Sequence, residues 1–163
     1  MSIVFQEFQD DELVYQYADF DVDNTSYTIA FTKMLEGMLD FDEMILRITQ
    51  GKLTYSIEFT LSEIYYDENY RGELYLPPKN HRFTKSKYEA LKTQLFSLIF
   101  AHYQRYNPEC YLIVADRLSL QKMYQKMCEF RSEQFIRFKP IMGLGQNGEC
   151  FLILTPTVQE VIC

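Results

Sequence analysis

From Lys85 to Tyr106 the apolar side chains recur at helical spacing. Tyr88, Leu91, Leu95, Leu98, Ile99 and His102 share one stripe, Glu89 and Thr93 lie on the far side, and Lys85 and Lys92 sit nearer its edge. This spacing predicts a long helix, stopped at Asn107-Pro108 because proline lacks an N–H and disfavours helical geometry in the residue before it. The run Cys110 to Ala115 is apolar on both alternating faces, as a buried central strand is. Asp116 is a natural N-cap for a second helix whose buried side would carry Leu120, Met123, Tyr124 and Met127. Phe135 to Lys139 and Cys150 to Leu154 read as two closing strands.

Upstream the period falls from 3.6 to 2. Leu53, Tyr55, Ile57, Phe59 and Leu61 alternate strictly with polar residues, the pattern of a half-buried antiparallel strand. Its expected partner is Gly72 to Leu76, reached through the tyrosine-rich loop Ser62 to Arg71 and ended by Pro77-Pro78. Ile3 to Phe8, Leu13 to Tyr17 and Ser26 to Phe31 fit further strands, Lys33 to Leu39 a helical turn interrupted by Gly37, and Asp42 to Ile48 either helix or strand. The acidic stretch Asp19 to Asn24 reads as a turn, since Asx side chains bond their own backbone. Its carboxylates at 19, 21 and 23 match the opening of a calcium loop. Asn24 and Ala30, however, stand where that loop needs a glycine and a bidentate glutamate, so no metal is expected.

These elements predict an α/β (α+β) domain spanning 1–163, with a mixed, mostly antiparallel central sheet and two main helices. The length, with 47% apolar residues, 13 Phe and 13 Tyr, suffices for one continuous core. Charge divides it. Residues 1–76 hold sixteen Asp and Glu against four Lys and Arg, a net of −12, whereas 77–163 hold seven against twelve, a net of +5. Such polarity steers a charged partner to one face and repels nucleic acid from the acidic half, leaving only Lys79 to Lys92 for a nucleic-acid role, the least favoured reading. No apolar run reaches the ~20 residues that span a bilayer, and the first residues lack a basic leader, so a cytoplasmic protein that does not enter membranes is expected. The cysteines at 110, 128, 150 and 163 show no metal spacing and read as reduced packing residues. His81 and His102 are far apart, and no Asp or Glu is spaced to orient His102, which reads as a packed or hydrogen-bonded histidine rather than a catalytic base.

Gly143-Leu144-Gly145-Gln146-Asn147-Gly148 spells the dinucleotide fingerprint G-x-G-x-x-G. That fingerprint needs a helix after the glycines, but a strand-like run follows, so the segment reads as a hairpin connection.

The order strand, hairpin strand, long helix, buried strand, helix, strand, strand, over roughly Leu53 to Thr155, resembles the second half of the GNAT-type N-acetyltransferase fold. That family shows an N-x-x-A-x-x-x-Y-x-K-x-G-F run; here the frame reads Arg117, Leu120, Tyr124, Lys126, Cys128 and Phe130, keeping the tyrosine and lysine. Its acyl-CoA signature, [QR]-x-x-G-x-[GA], aligns with Arg82-Phe83-Thr84-Lys85-Ser86-Lys87, where lysine occupies both glycine positions. Side chains there keep backbone N–H groups from closing around a pyrophosphate, although Arg82, Lys85 and Lys87 still attract phosphate as charges. The resemblance thus implies an acetyltransferase-like topology in one of two roles. The first is a non-catalytic domain without cofactor that binds another protein through its acidic half and the loop Tyr65-Tyr66-Asp67-Glu68-Asn69-Tyr70. The alternative is a divergent N-acyltransferase using acetyl-CoA on a cationic amine. In that role Tyr124 protonates the departing thiolate, and Glu58 or Glu73, or a water they hold, deprotonates the amine.

Overall fold

Three strands open the chain and follow one another through tight turns: β1 (Gln6–Asp10), β2 (Leu13–Val22) and β3 (Thr25–Lys33). The second turn is Asp23-Asn24, both with positive φ (47° and 66°), the two-residue geometry whose twist suits a hairpin. Then come α1 (Glu43–Thr49), β4 (Thr54–Leu61), the one-turn α2 (Ser62–Tyr65), α3 (Lys85–Tyr106), β5 (Cys110–Val114), β6 (Lys139–Leu144) and β7 (Cys150–Leu154). This computed structural model describes residues 4–35, 43–66, 85–114, 137–145, 148 and 150–157. The predicted strand Gly72 to Leu76 and the predicted second helix beyond Asp116 lie outside them.

All seven strands join one sheet in the order β1-β2-β3-β4-β5-β7-β6, antiparallel except between β4 and β5. Among the described residues the antiparallel partner of β4 is β3. Along its other edge β4 pairs in parallel with β5, and α3 makes the crossover a parallel pair requires. The β4–β5 ladder covers only Thr54–Ile57 against Cys110–Ile113, while β4 continues to Leu61. Because α3 leads from the end of β4 back to the start of β5, its first turn lies toward the carboxyl ends of both strands. The helix stops as expected: Asn107 takes a left-handed φ of 49°, its N–H donates to the Tyr103 carbonyl at 2.9 Å, and Pro108 follows.

Strand alternation sorts the sheet into two faces. The first carries Ala18, Phe20, Tyr27, Ile29, Phe31, Tyr55, Ile57, Phe59, Tyr111, Ile113, Phe151 and Ile153, packed against Leu91, Leu95, Leu98 and Ile99 of α3 in one core. On the second face α1 covers only the β5-β7-β6 side, where Ile45 packs with Cys110, Leu112, Leu144, Cys150 and Leu152. Cys110 and Cys150 are buried thiols, and burial pushes the Cys110 thiol up to about 12.

Three local readings change. Asp19 and Asp21 belong to β2, not to a turn, because Phe20 between them and Val22 after them are needed in the core. The first closing strand starts at Lys139 rather than Phe135, and it is joined to β7 through Gly145 and Gly148, both at positive φ (85° and 72°), which fits the hairpin reading of the glycine-rich segment. The open segment Asp42 to Ile48 is helical from Glu43.

His102 ends the apolar stripe of α3 inside this core, wholly buried. Its ring lies flat on Phe31, centroids 3.9 Å apart, with Phe5, Tyr55, Tyr106 and Tyr111 around it. Its Nε2 is 2.8 Å from Gln16 Oε1, which can only accept, so Nε2 carries the hydrogen and Nδ1 accepts from the Tyr111 hydroxyl at 2.7 Å. Gln16 passes the sequence outward, its amide donating to Glu7 Oε2 at 3.0 Å. The result is a polar chain from the core to the surface in which each buried group is satisfied.

Candidate functional site

The β1–β4 half of the second face has a different chemistry from the rest of the molecule. Position by position it presents Phe8 and Asp10 from β1, Tyr15, Tyr17, Asp19 and Asp21 from β2, Ser26, Thr28, Ala30 and Thr32 from β3, and Ser56, Glu58 and Thr60 from β4. The phenylalanine and the three carboxylates of β1 and β2 are exposed, and Tyr15 and Tyr17 are half-buried. Among the described residues no helix longer than one turn lies across this half.

That one turn is α2. Ser62 Oγ is 2.8 Å from Thr28 Oγ1, and Thr28 donates to Asp19 Oδ1 at 2.7 Å. Tyr66, 53% exposed, swings its hydroxyl onto the same carboxylate, 3.0 Å from Oδ1 and 3.3 Å from Oδ2. Desolvation first, and then the bond to Asp19, raises the Tyr66 pKa. The tyrosine-rich loop and the acidic stretch, distant in sequence, therefore meet at one point. Asp21 is held likewise by Ser26 Oγ at 2.6 Å. Next to them Phe8 stacks on Tyr15 at 5.0 Å, Tyr15 contacts Tyr17 at 5.9 Å, and the Tyr17 hydroxyl donates to Gln6 Oε1 at 2.7 Å. The outcome is a row of oriented rings beside fixed carboxylates, suited to a flat cationic or amphipathic partner.

Glu58 stands on β4 immediately after the last residue paired with β5. The register with β3 is unbroken from Tyr27↔Leu61 to Lys33↔Tyr55, so no bulge turns Glu58 toward the core, and it faces the same side as Asp19. Glu58 is exposed as a residue, yet desolvation by partial burial raises its pKa. Thr60, two residues on, is 3% exposed, and Oγ1 has no hydrogen-bond partner among the described residues.

The other residues singled out by sequence are placed less fully. Lys85 is the first residue of α3, and Lys87 lies in its first turn, half-buried. Lys92 is engaged by Glu89 at 2.8 Å and lies over the Tyr88 ring. Arg82, Glu73 and Tyr124 lie outside the described residues. None of the described candidates lines the open cavity of about 600 Å³ between α1 and the sheet, whose walls include Met34, Ile45 and Leu112 and whose rim includes Arg47 and Lys52. Sequence reasoning missed this cavity because its walls come from three separated elements. No group of three or more His, Cys, Asp or Glu capable of holding a metal occurs among the described residues, and no described helix is long and apolar enough to cross a membrane.

Neither a protein-family model, nor a curated protein, nor a solved structure matches this chain.

Proposed function

We propose that this protein is an acetyltransferase-like domain that works by binding another protein, and that the binding surface is the acidic, tyrosine-bearing half of the second sheet face. The observation that carries this reading is the convergence of Tyr66 on Asp19 beside the exposed Phe8, Tyr15 and Tyr17. Tyrosine offers large contact area at low entropic cost, and carboxylates already held by Ser26 and Thr28 need little reordering on binding. The complementary partner is a basic protein surface. Fluorescence titration with a labelled oligolysine peptide tests this. Affinity is expected to fall as salt rises, and Asp19→Asn with Asp21→Asn should weaken it several-fold while Glu43→Gln, on α1, leaves it unchanged. Equal weakening by both substitutions would mean attraction to net charge alone and would remove the surface from consideration.

One observation favours the acyl-CoA reading as an alternative: Glu58, its pKa raised, sits where β4 outruns its pairing with β5, on the strands toward whose carboxyl ends α3 begins. In open sheets such parting points are where ligands enter. There Glu58 would accept the amine proton directly or through water, and Lys87 would face phosphate as a point charge. Thermal melting with acetyl-CoA separates the readings. Saturation at a hundred times the dissociation constant stabilises by ~2.7 kcal/mol, whereas the favoured reading expects no shift at millimolar cofactor.

A further inference from the structure

The two ends of the sheet are built differently. At one end β6 carries Lys139 and Pro140 and a register break between Ile141 and Leu144, three devices that stop another strand from adding. At the other end β1 has no lysine, no proline and an unbroken register with β2 from Gln6↔Tyr17 to Asp10↔Leu13. All five of its residues are exposed, Phe8 at its centre is 41% exposed, and Val4, two residues before the strand, is 73% exposed. Among the described residues nothing pairs with its outer edge. A row of outward N–H and C=O groups with an exposed phenylalanine at its centre is a template for another strand.

We propose that β1 pairs antiparallel with β1 of a second copy about a two-fold axis through Phe8, joining two sheets into one. The sequence of the strand selects both occupant and register. Centred on Phe8, Gln6 opposes the partner's Asp10 and Glu7 opposes the partner's Gln9, so every carboxylate meets a carboxamide. Centring on Glu7 sets that residue against itself, and centring on Gln9 sets Glu7 against Asp11. The chosen register also places Phe8 beside its own copy on the second face, extending the Phe8–Tyr15 stack into a row of four rings. The two-fold keeps the helix-covered faces on the same side, and the interface is closed, since each copy offers one unguarded edge among the described residues and uses it. Like net charge of −7 on each copy opposes the contact, so association strengthens as salt screens it.

Sedimentation velocity of the whole chain over a range of concentrations and salt tests the pairing. A reversible monomer–dimer equilibrium that shifts toward dimer with added salt is expected. Gln9→Glu, which sets two like-charged pairs in the interface by symmetry, should weaken the dimer about tenfold. Gln9→Lys should strengthen it, and Glu7→Gln added to Gln9→Glu should restore it. Residue 9 is exposed, so thermal melts of the two single variants, Gln9→Glu and Gln9→Lys, at monomeric concentrations should match the parent. A chain that stays monomeric throughout, or a dimer whose strength ignores the charge at residue 9, overturns the proposal.

Discussion

Replacing His102 with alanine should cost roughly 4–6 kcal/mol, much of the ~5–15 kcal/mol by which a domain of this size is stable. Two losses combine. Removing the ring opens a cavity against Phe31, on which it lies at 3.9 Å, a change of the kind that costs ~3–5 kcal/mol for aromatic-to-alanine core substitutions. It also strands the Tyr111 hydroxyl and Gln16 Oε1, whose partners at 2.7 and 2.8 Å are the two imidazole nitrogens, at ~1–3 kcal/mol for each buried group left unpaired. Partial collapse and water entry make the sum less than additive. Urea unfolding would measure the change. A loss below ~1 kcal/mol would mean that the buried histidine and its partners are not the joint described.

Acidification should unfold the protein through the same residue. Burial holds His102 neutral, lowering its pKa from the ordinary 6.5 to about 3. Between those values the unfolded chain binds a proton that the folded chain refuses, so stability falls as pH drops. The contribution is intact above about pH 6.5 and declines by up to ~1.4 kcal/mol per pH unit down to about pH 3. Glu58 acts in the opposite sense. Its raised carboxyl pKa gives stability present at low pH and lost as pH rises through the folded value, so acidification relieves that site while it loads His102. Nitrogen NMR of the folded protein near pH 5 isolates the histidine: the His102 ring should show a protonated Nε2, a bare Nδ1 and no titration. A ring that titrates near 6.5 while the chain stays folded would contradict the burial described.

How far the chain could be read depended on how far apart the interacting residues lie. The helix Lys85–Tyr106 was legible to its ends because its stripe, from Leu91 to His102, and its stop at Asn107-Pro108 are local. The alternation from Tyr55 to Leu61 likewise announced β4, and the apolar run at Cys110 announced β5. Asp19 and Asp21 misled, since a carboxylate favours a turn by its own chemistry, whereas its neighbours Phe20 and Val22 require a strand. The described neighbours of β4 were not foreseen for a related reason. A hairpin is the nearest solution in sequence, yet β4 pairs with β3 across α1 and with β5 across α3. The candidate surface shows the same limit: its acidic stretch and its tyrosine loop were each visible, but not the hydroxyl of Tyr66 resting on Asp19, a contact across 47 residues.

By itself, then, the amino-acid sequence determined what depends on neighbours along the chain: the class of the fold, the long helix, the strands flanking it and the division of charge between the halves. Only the tertiary structure decided which strands lie side by side, that the imidazole of His102 is walled in by rings from β3, β4 and β5, and that one sheet edge is guarded while no described residue pairs along the other. The physical reason is that periodicity and propensity act over one or two turns of backbone. Pairing order and burial arise from contacts between segments whose separation in sequence carries no local signal.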